Sequence, residues 1–400
     1  MQIFTTKSRI VITCHKWLSP ALQTEIIALG YEVEQAGQTS VTLIGTVKDC
    51  IRLNLHLRCA SQVMYSLKSF PCNNPDELYN ELISIHWEEL IAPDGYFSVT
   101  SNVSNPTISN GLFANLRVKD AIVDYMRNKT NERPSTGSEL KGVVFNLFWK
   151  YNEAEIFIDT SGETLTKHGY RKLPGKAPML EALAAASILS TRWDKEGPFI
   201  NPMCGSGTLA IEAALIATNR TPGLLRSQYA FMHLQGYDPA FYTAERKQLE
   251  GLIKKPVGLK IVATDISSAA VSTAKTNAEA AGVAHLIEFA TCDFERTTIP
   301  EATNGVVMLN PEYGERLGVE AELELVYARI GDFFKNKCRG YKGYIFTGNL
   351  ELAKKIRLKT SRRIEFFNAT IDCRLLEYEL YAGTKRDLTG EGKEEKREEG

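Results

Sequence analysis

From about residue 175 onward, short apolar segments alternate with longer segments of helical periodicity. The strand-like segments read PFIN, LKIVATD, LIEFATCD, GVVMLN and GYIFTGN, and between them lie helical segments such as TLAIEAALIATN and AELELVYARIGDFFKNK. Strands that alternate with helices form parallel sheets with crossover connections. The last run, RIEFFNATIDCRLLEYELY, is long enough for two antiparallel edge strands. This half of the chain is therefore predicted to be a doubly wound α/β domain with a mostly parallel sheet.

Residues 1 to about 160 show a different order of elements. RIVITC is strand-like, LSPALQTEIIALG is a helix that ends at Gly30, and YEVEQAGQTSVTLIG reads as a strand pair with a glycine turn. The β-α-β-β order is typical of a small α+β layer of ferredoxin-like type. Four hundred residues also exceed what one hydrophobic core usually serves. We therefore expect at least two domains.

Composition excludes several classes of protein. No stretch approaches the roughly 18 apolar residues of a membrane span, and the N-terminus lacks the apolar core of a signal peptide. The eight cysteines form no C-x-x-C pair, so we expect reduced thiols in a cytoplasmic protein and no metal site. The net charge of −1 means that a nucleic-acid partner would have to be bound by local basic patches.

The segment FINPMCGSGTLAIEAAL places Gly205 and Gly207 between a strand and a helix. Glycines let a backbone turn tightly beside a ligand, and the helix N-terminus offers free N–H groups to an anion. The same residues are also compatible with a tight turn that binds nothing, or with a dinucleotide-binding fingerprint. The dinucleotide interpretation requires an acidic residue about 20 positions later, where the chain reads NRTPGLLRSQYAF.

The ends of the later strands favour a different cofactor. Asp265 ends the second strand and Asp293 ends the third, where an S-adenosylmethionine enzyme needs acids for the ribose hydroxyls and the adenine. Each aspartate alone is as compatible with a turn or an N-cap. Both together, after a glycine turn and before Asn-Pro-x-Tyr, favour S-adenosylmethionine.

The fourth strand ends in NPEY, at Asn310, Pro311 and Tyr313. The lone pair of an exocyclic base amine is delocalised, so the amine must be oriented before it can attack a methyl group. The side-chain oxygen of Asn310 and the carbonyl of Pro311 would accept its two N–H bonds, and Tyr313 would stack on the base. A base inside a helix would first have to be extruded.

Together these segments resemble a known family. NPMCGSGTLAIEAAL and NPEYGERLG are similar to the THUMP-domain guanine-N2 RNA methyltransferases of RlmL type. So are LRVKDAIVDYMR, IDTSGETLTKHGYRK and APMLEALAAA, which precede them in that order at residues 116–186. The resemblance implies an RNA-binding ferredoxin-like plus THUMP module before a Rossmann-like catalytic domain, which uses S-adenosylmethionine. It assigns catalysis to Asn310, Pro311 and Tyr313. It assigns the cofactor to Asn201, Met203, Gly205, Gly207, Thr208, Asp265 and Asp293.

The resemblance also sets the expected domain boundaries. We expect a ferredoxin-like subdomain at residues 1–50, a THUMP domain at 51–160 and a linker at 161–178. The methyltransferase domain would span 179–383, and the charged residues 384–400 would form a disordered tail. The expected substrate is 23S rRNA, with tRNA as the alternative, and a monomer is expected.

Three positions depart from the family pattern. Asn201 stands where an aspartate is usual, and Leu180 stands where a basic residue is usual before Glu181. Glu312 replaces the second proline of Asn-Pro-Pro-Tyr, which loosens the loop and adds a negative charge near the sulfonium. Since Asn310, Pro311 and Tyr313 are kept, we expect activity. The alternatives are a non-catalytic RNA-binding protein on this scaffold and, more remotely, a nicotinamide dehydrogenase.

Basic residues suggest where RNA would lie. The linker reads LTKHGYRKLPGK, and charged side chains there can contact phosphates without reading bases, although such a run is equally compatible with a solvated connector. The residues predicted to contact RNA are Lys167, Arg171 and Lys172 in the linker, and Arg117 and Lys119 in the preceding helical segment.

Overall fold

The computed structural model describes residues 2–105, 108, 111–175, 178–302, 304–313 and 320–381. The chain divides into two compact units, each built from two segments. Unit 1 contains the residues up to His168 and the segment 220–253, and unit 2 contains residues 169–219 and those from 254 onward. The expected tail at 384–400 lies outside the described residues.

The elements before residue 168 are β1 (Ser8–Thr13), α1 (Ser19–Ala28), β2 (Gln35–Ala36), β3 (Ser40–Gly45), α2 (Val47–His56), β4 (Gln62–Pro71), α3 (Pro75–Leu82), β5 (Tyr96–Ser104), α4 (Gly111–Thr130), β6 (Ser135–Gly137), β7 (Val143–Lys150) and β8 (Glu153–Asp159). Those after it are α5 (Glu181–Leu189), β9 (Phe199–Pro202), α6 (Thr208–Ala217), α7 (Pro239–Gly251), β10 (Ile261–Asp265), α8 (Ser268–Ala280), β11 (Ile287–Thr291), β12 (Val306–Leu309), α9 (Glu320–Lys337), β13 (Lys342–Thr347), α10 (Leu350–Lys354), β14 (Arg362–Asn368) and β15 (Ile371–Glu379).

Unit 1 is built on one sheet with the strand order β2-β3-β1-β4-β8-β7-β5-β6. The pairs from β2 to β7 are antiparallel, whereas β5 pairs in parallel with both β7 and β6. The β-α-β-β start is present as β1, α1, β2 and β3. The expected boundary between residues 50 and 51 falls inside α2, and the sheet continues across the ferredoxin-like and THUMP segments.

The segment 220–253 is part of unit 1 although it lies between strands of the other unit in sequence. Arg226 donates hydrogen bonds to the carbonyls of Ser161 (3.0 Å), Glu163 (2.8 Å) and Thr164 (3.1 Å). A Cβ at Gly223 would lie 2.3 Å from the carbonyl oxygen of Leu55, so the two backbones are in direct contact. This insertion is therefore packed against α2 and the end of β8.

Unit 2 is built on a sheet with the order β11-β10-β9-β12-β13-β15-β14. The first four pairings are parallel, and β15 runs antiparallel to both β13 and β14. The prediction of a mostly parallel doubly wound sheet that ends in an antiparallel strand pair is confirmed. Because β9 to β12 are parallel, their carboxyl ends lie along one edge of the sheet.

Two helices pack against the strands of this sheet. Helix α6 is buried along its whole length and packs against β9 and β10, since its sequence is almost entirely apolar. Helix α9 contributes Tyr327, Ile330 and Phe334 to a core with Ile200 of β9 and Val307 of β12. Among the described residues, no helix is long and apolar enough to cross a membrane.

Candidate active site

The turn after β9 has an unusual backbone. Met203, Gly205 and Gly207 all have positive φ angles, of 57°, 55° and 82°. Such a conformation is strained for Met203 and tends to occur at functional sites. A Cβ at Gly205 would meet no atom within 4 Å, whereas one at Gly207 would lie 2.8 Å from the Cβ of Ala274. Gly205 therefore faces open space, and Gly207 is needed for the close packing of α8.

Asp265, at the end of β10, supports this turn directly. Its Oδ2 accepts a hydrogen bond from the N–H of Gly205 (2.9 Å), and its Oδ1 accepts one from the N–H of Ser267 (2.9 Å). Each carboxylate oxygen has a second lone pair, so hydroxyl groups can still bind. The next residue, Ile266, has 74% of its surface exposed. No motif in the sequence indicated this exposed apolar side chain next to Asp265.

Asp293 is held by protein partners. It caps a short 3₁₀ turn by accepting from the N–H of Glu295, and both of its oxygens accept from Arg329 (2.8 and 2.9 Å). Burial would raise the pKa of Asp293, but the hydrogen bonds from Arg329 and Glu295 lower it below the usual range. The carboxylate is therefore ionised and partly neutralised. Its assignment to adenine stays a prediction.

Two asparagine oxygens are buried at the strand ends without a donor among the described residues. Asn201 donates from Nδ2 to the carbonyl of Met308 (2.9 Å), which ties β9 to β12, and its Oδ1 has no partner there. The Oδ1 of Asn310 is in the same situation. Buried acceptors are normally satisfied. These two atoms therefore have acceptor capacity that a ligand can use.

Tyr313 is fixed by the β14–β15 hairpin. Its hydroxyl accepts a hydrogen bond from Nδ2 of Asn368 (2.9 Å), and burial raises its pKa to about 12. A Cβ at Gly348 would lie 3.0 Å from two ring carbons, so the ring packs over that glycine. Between Asn310 and Tyr313 in sequence, Pro311 is buried and Glu312 is exposed. The loop after β12 therefore carries both Asn310 and Tyr313, and the position of the tyrosine ring is fixed.

Thr208 begins α6, and its hydroxyl accepts a hydrogen bond from Arg171 (3.1 Å). Gly207 is the N-cap residue and has no side chain, so no N-cap side chain accepts from the N–H groups of the first turn. Burial raises the pKa of Cys204 to about 12, which keeps the thiol protonated. A nucleophilic thiol in this turn is therefore disfavoured.

The residues predicted to contact RNA have different surroundings. Lys167 and Lys172 are exposed. Arg117 pairs with Asp76 (2.9 Å) over the ring of Tyr79, and the ammonium group of Lys119 donates to the carbonyl of Gly137 (3.4 Å). Arg171 has only 14% of its side chain exposed. Contacts of these five residues with RNA stay predictions.

A family model described as an RMKL-like methyltransferase domain matches residues 168–377, just over half of the chain. The chain belongs to this methyltransferase family. Two further models precede the RMKL-like domain: an RlmL ferredoxin-like domain at residues 9–64 and a THUMP domain at 72–159. The family resemblance inferred from the motifs is confirmed, as is the order of ferredoxin-like, THUMP and Rossmann-like parts.

Individual relatives extend the comparison. Ribosomal RNA large subunit methyltransferase K/L of Syntrophotalea carbinolica is 33% identical over 380 residues, which cover 92% of this chain and 53% of the relative. The chain thus spans about half the length of the curated relatives it matches. The crystal structure of SMU.472 complexed with SAH has a TM-score of 0.86 at 25% identity, covering 95% of this chain and 100% of that one. A structure described as a predicted N6-adenine-specific DNA methylase from Listeria monocytogenes has a TM-score of 0.85 at 29% identity, with 94% and 97% coverage.

The residues present fit S-adenosylmethionine. The glycine turn leaves space beside Gly205, the start of α6 has uncapped N–H groups, and Asp265 keeps free lone pairs. Asn201 adds a buried oxygen without a donor among the described residues. Within that same part of the chain, no group of three or more histidine, cysteine or acidic side chains could hold a metal ion.

Proposed function

We propose that this chain transfers a methyl group from S-adenosylmethionine to the exocyclic N2 of a guanine in 23S rRNA. The observation that carries the proposal is the buried Oδ1 of Asn310, which has no donor among the described residues at the end of β12. An amine N–H would satisfy it. The name of the Syntrophotalea relative supports rRNA as the substrate, and the THUMP domain supports an RNA partner. This function places the protein in the cytoplasm.

The chain's own residues would act mainly by orientation. S-adenosylmethionine supplies an electrophilic sulfonium methyl group when bound. The side-chain oxygen of Asn310 and the carbonyl of Pro311 would each accept a hydrogen bond from one N–H group of the amine. These two bonds would direct the nitrogen lone pair toward the methyl group. Tyr313, held by Asn368, would stack on the base. Asp265 would bind the ribose hydroxyls, while Met203, Gly205, Gly207 and Thr208 would surround the methionine part. Well-aligned reactants gain up to roughly 7 to 11 kcal/mol from such positioning.

Methyl transfer from labelled S-adenosylmethionine to unmodified 23S rRNA and to tRNA, followed by mass spectrometry of the nucleosides, tests the proposal. We expect N2-methylguanosine from 23S rRNA. Asn310→Ala removes one acceptor that acts on the reacting amine and is expected to lower kcat roughly 10²- to 10³-fold. Asn152→Ala, at an exposed turn in unit 1, is the matched control and should be fully active.

The products separate the alternatives. N6-methyladenosine would replace guanine by adenine as the substrate base, and product from tRNA alone would replace the RNA. Glu312→Pro restores the second proline of the loop. Product from that variant only, with RNA binding retained in the wild type, would show that the natural chain is an RNA-binding protein and would overturn the proposal.

A further inference from the structure

The linker residue Arg171 reaches into the support of the glycine turn. Its Nη1 donates to the hydroxyl of Ser206 (3.0 Å), and its Nη2 donates to the hydroxyl of Thr208 (3.1 Å) and to the carbonyl of Met179 (2.7 Å). Its Nε donates to Oε1 of Glu181 (3.1 Å), a side chain that is only 4% exposed. These bonds use four of the five N–H groups of the guanidinium. Little donor capacity remains for a phosphate.

Asn277 on α8 ties the same two segments together from another side. Its Oδ1 accepts from the backbone N–H groups of Lys172 (2.9 Å) and Leu173 (3.0 Å). Its Nδ2 donates to the carbonyls of Leu173 (3.0 Å) and Ser206 (3.2 Å). Asn277 is fully buried. One amide side chain therefore joins the linker backbone to the middle residue of the turn.

These contacts lie close in sequence to a strained part of the turn. Met203 holds a left-handed conformation that is unfavourable for a non-glycine residue, and such a conformation persists only when neighbours constrain it. The open face of the turn is at Gly205, whereas Ser206 and Thr208 are bonded to Arg171 and Asn277 on the protein side. The linker thus takes part in setting the shape of the turn.

We infer that Arg171 and Asn277 are positioning residues for the cofactor, which hold the Ser206–Thr208 part of the glycine turn in its binding shape. This inference rests on the proposed function. It gives Arg171 a role at the cofactor in place of the RNA contact predicted from the basic linker. Glu181 accepts a hydrogen bond from the guanidinium and thereby helps to fix its position.

The test removes the donors of Arg171 without leaving a lone buried charge. Arg171→Ala alone would leave Glu181 buried and unpaired, which endangers folding. The double variant Arg171→Met, Glu181→Gln removes both charges. Calorimetry measures its Kd for S-adenosylhomocysteine, and filter binding measures its Kd for 23S rRNA. We expect the first Kd to rise at least tenfold and the second to change less than twofold.

Three further variants complete the design. Arg171→Lys keeps a donor and should recover part of the cofactor affinity. Asn277→Ser breaks the second tie, and should also raise the Kd for S-adenosylhomocysteine and the KM for S-adenosylmethionine more than it lowers kcat. Lys275→Met, at an exposed residue of α8, is the control and should leave the affinities for both ligands unchanged.

The outcomes are distinct. Weaker RNA binding with unchanged cofactor affinity in the double variant would show that Arg171 contacts phosphate and would overturn the inference. Unchanged affinity for both ligands would also overturn it, while the proposed function would stand on the wild-type activity. If the wild type binds no S-adenosylhomocysteine, the proposed function fails, and the inference fails with it.

Discussion

At the scale of single residues, the strand pattern predicted which polar side chains lie at the carboxyl edge of the sheet. Asn201 lies near the end of β9, Asp265 is the last residue of β10, and Asn310 directly follows β12, so all three are at the carboxyl ends of parallel strands. The supports of these residues were not predictable. Asn368 meets Tyr313, and Asn277 meets Ser206, across sequence distances that no local pattern encodes.

Gly348 offers a direct test of the position of Tyr313. In Gly348→Ala the new Cβ would lie 3.0 Å from two ring carbons and 2.6 Å from Cγ2 of Ile371, so the ring must shift. If the ring stacks on the substrate base, we expect kcat for methyl transfer to fall roughly tenfold or more, as small misplacements of positioning groups do. Affinity for S-adenosylhomocysteine, measured by calorimetry, should be unchanged.

Gly251→Ala is the control for this substitution, since a Cβ there meets nothing within 4 Å. Full activity in Gly348→Ala would mean that the tyrosine ring need not occupy this position. Asn368→Ala, which removes only the hydrogen bond to the hydroxyl, should give a smaller loss of kcat than Gly348→Ala.

At the scale of elements, alternation predicted the parallel sheet and the final antiparallel pair. The joining of the first 160 residues into one eight-stranded sheet was beyond the local patterns. The pairing of β4 with β8 joins segments about 90 residues apart, and strand partners at such distances depend on tertiary packing. The same pairing buries the carboxyl group of Asp159 at the end of β8.

Asp159 at the end of β8 predicts a pH dependence of unit 1. Burial raises its pKa to about 6, against hydrogen bonds from the backbone of Gly162 and Ser161, whereas the unfolded chain titrates near 3.9. The folded state therefore binds this proton more tightly. The resulting stabilisation is complete below about pH 4 and is lost as the pH rises through about 6, on the order of 2 to 3 kcal/mol.

Asp159→Asn removes this titration while keeping acceptors for Ser161 and Gly162. Thermal unfolding followed by tryptophan fluorescence in a Trp193→Phe background reports unit 1, which holds the other three tryptophans. We expect the wild type to lose stability relative to Asp159→Asn between pH 4 and pH 7. A difference that stays constant over this range would contradict the assigned pKa.

At the scale of the whole molecule, one segment belongs to a different compact unit from the residues on either side of it in sequence. The segment 220–253 interrupts the methyltransferase domain between α6 and β10, yet it packs in unit 1. Its first part, RTPGLLRSQYAF, lacks the acidic residue that a dinucleotide site needs, and no local pattern in the segment indicates its packing partner. The packing is made by side chains of the segment. Arg226 donates to the carbonyl of Ser161 after β8, and Glu245 pairs with Arg52 on α2 (3.1 Å).

Hydrogen exchange can determine whether this insertion unfolds with unit 1. Because Arg226 donates to three carbonyls after β8, Arg226→Ala leaves these acceptors without the guanidinium and is expected to cost about 2 kcal/mol. Exchange followed by mass spectrometry should then be roughly 30-fold faster both in residues 220–253 and around residues 159–165. Peptides from β9 to β11 should keep their protection, and Lys247→Ala on the exposed side of α7 should change neither region.

In rising denaturant the insertion should lose protection together with β1 to β8. Loss of protection together with β9 and β10 would instead show that the insertion is energetically part of the methyltransferase domain, since a segment exchanges with the cooperative unit that stabilises it.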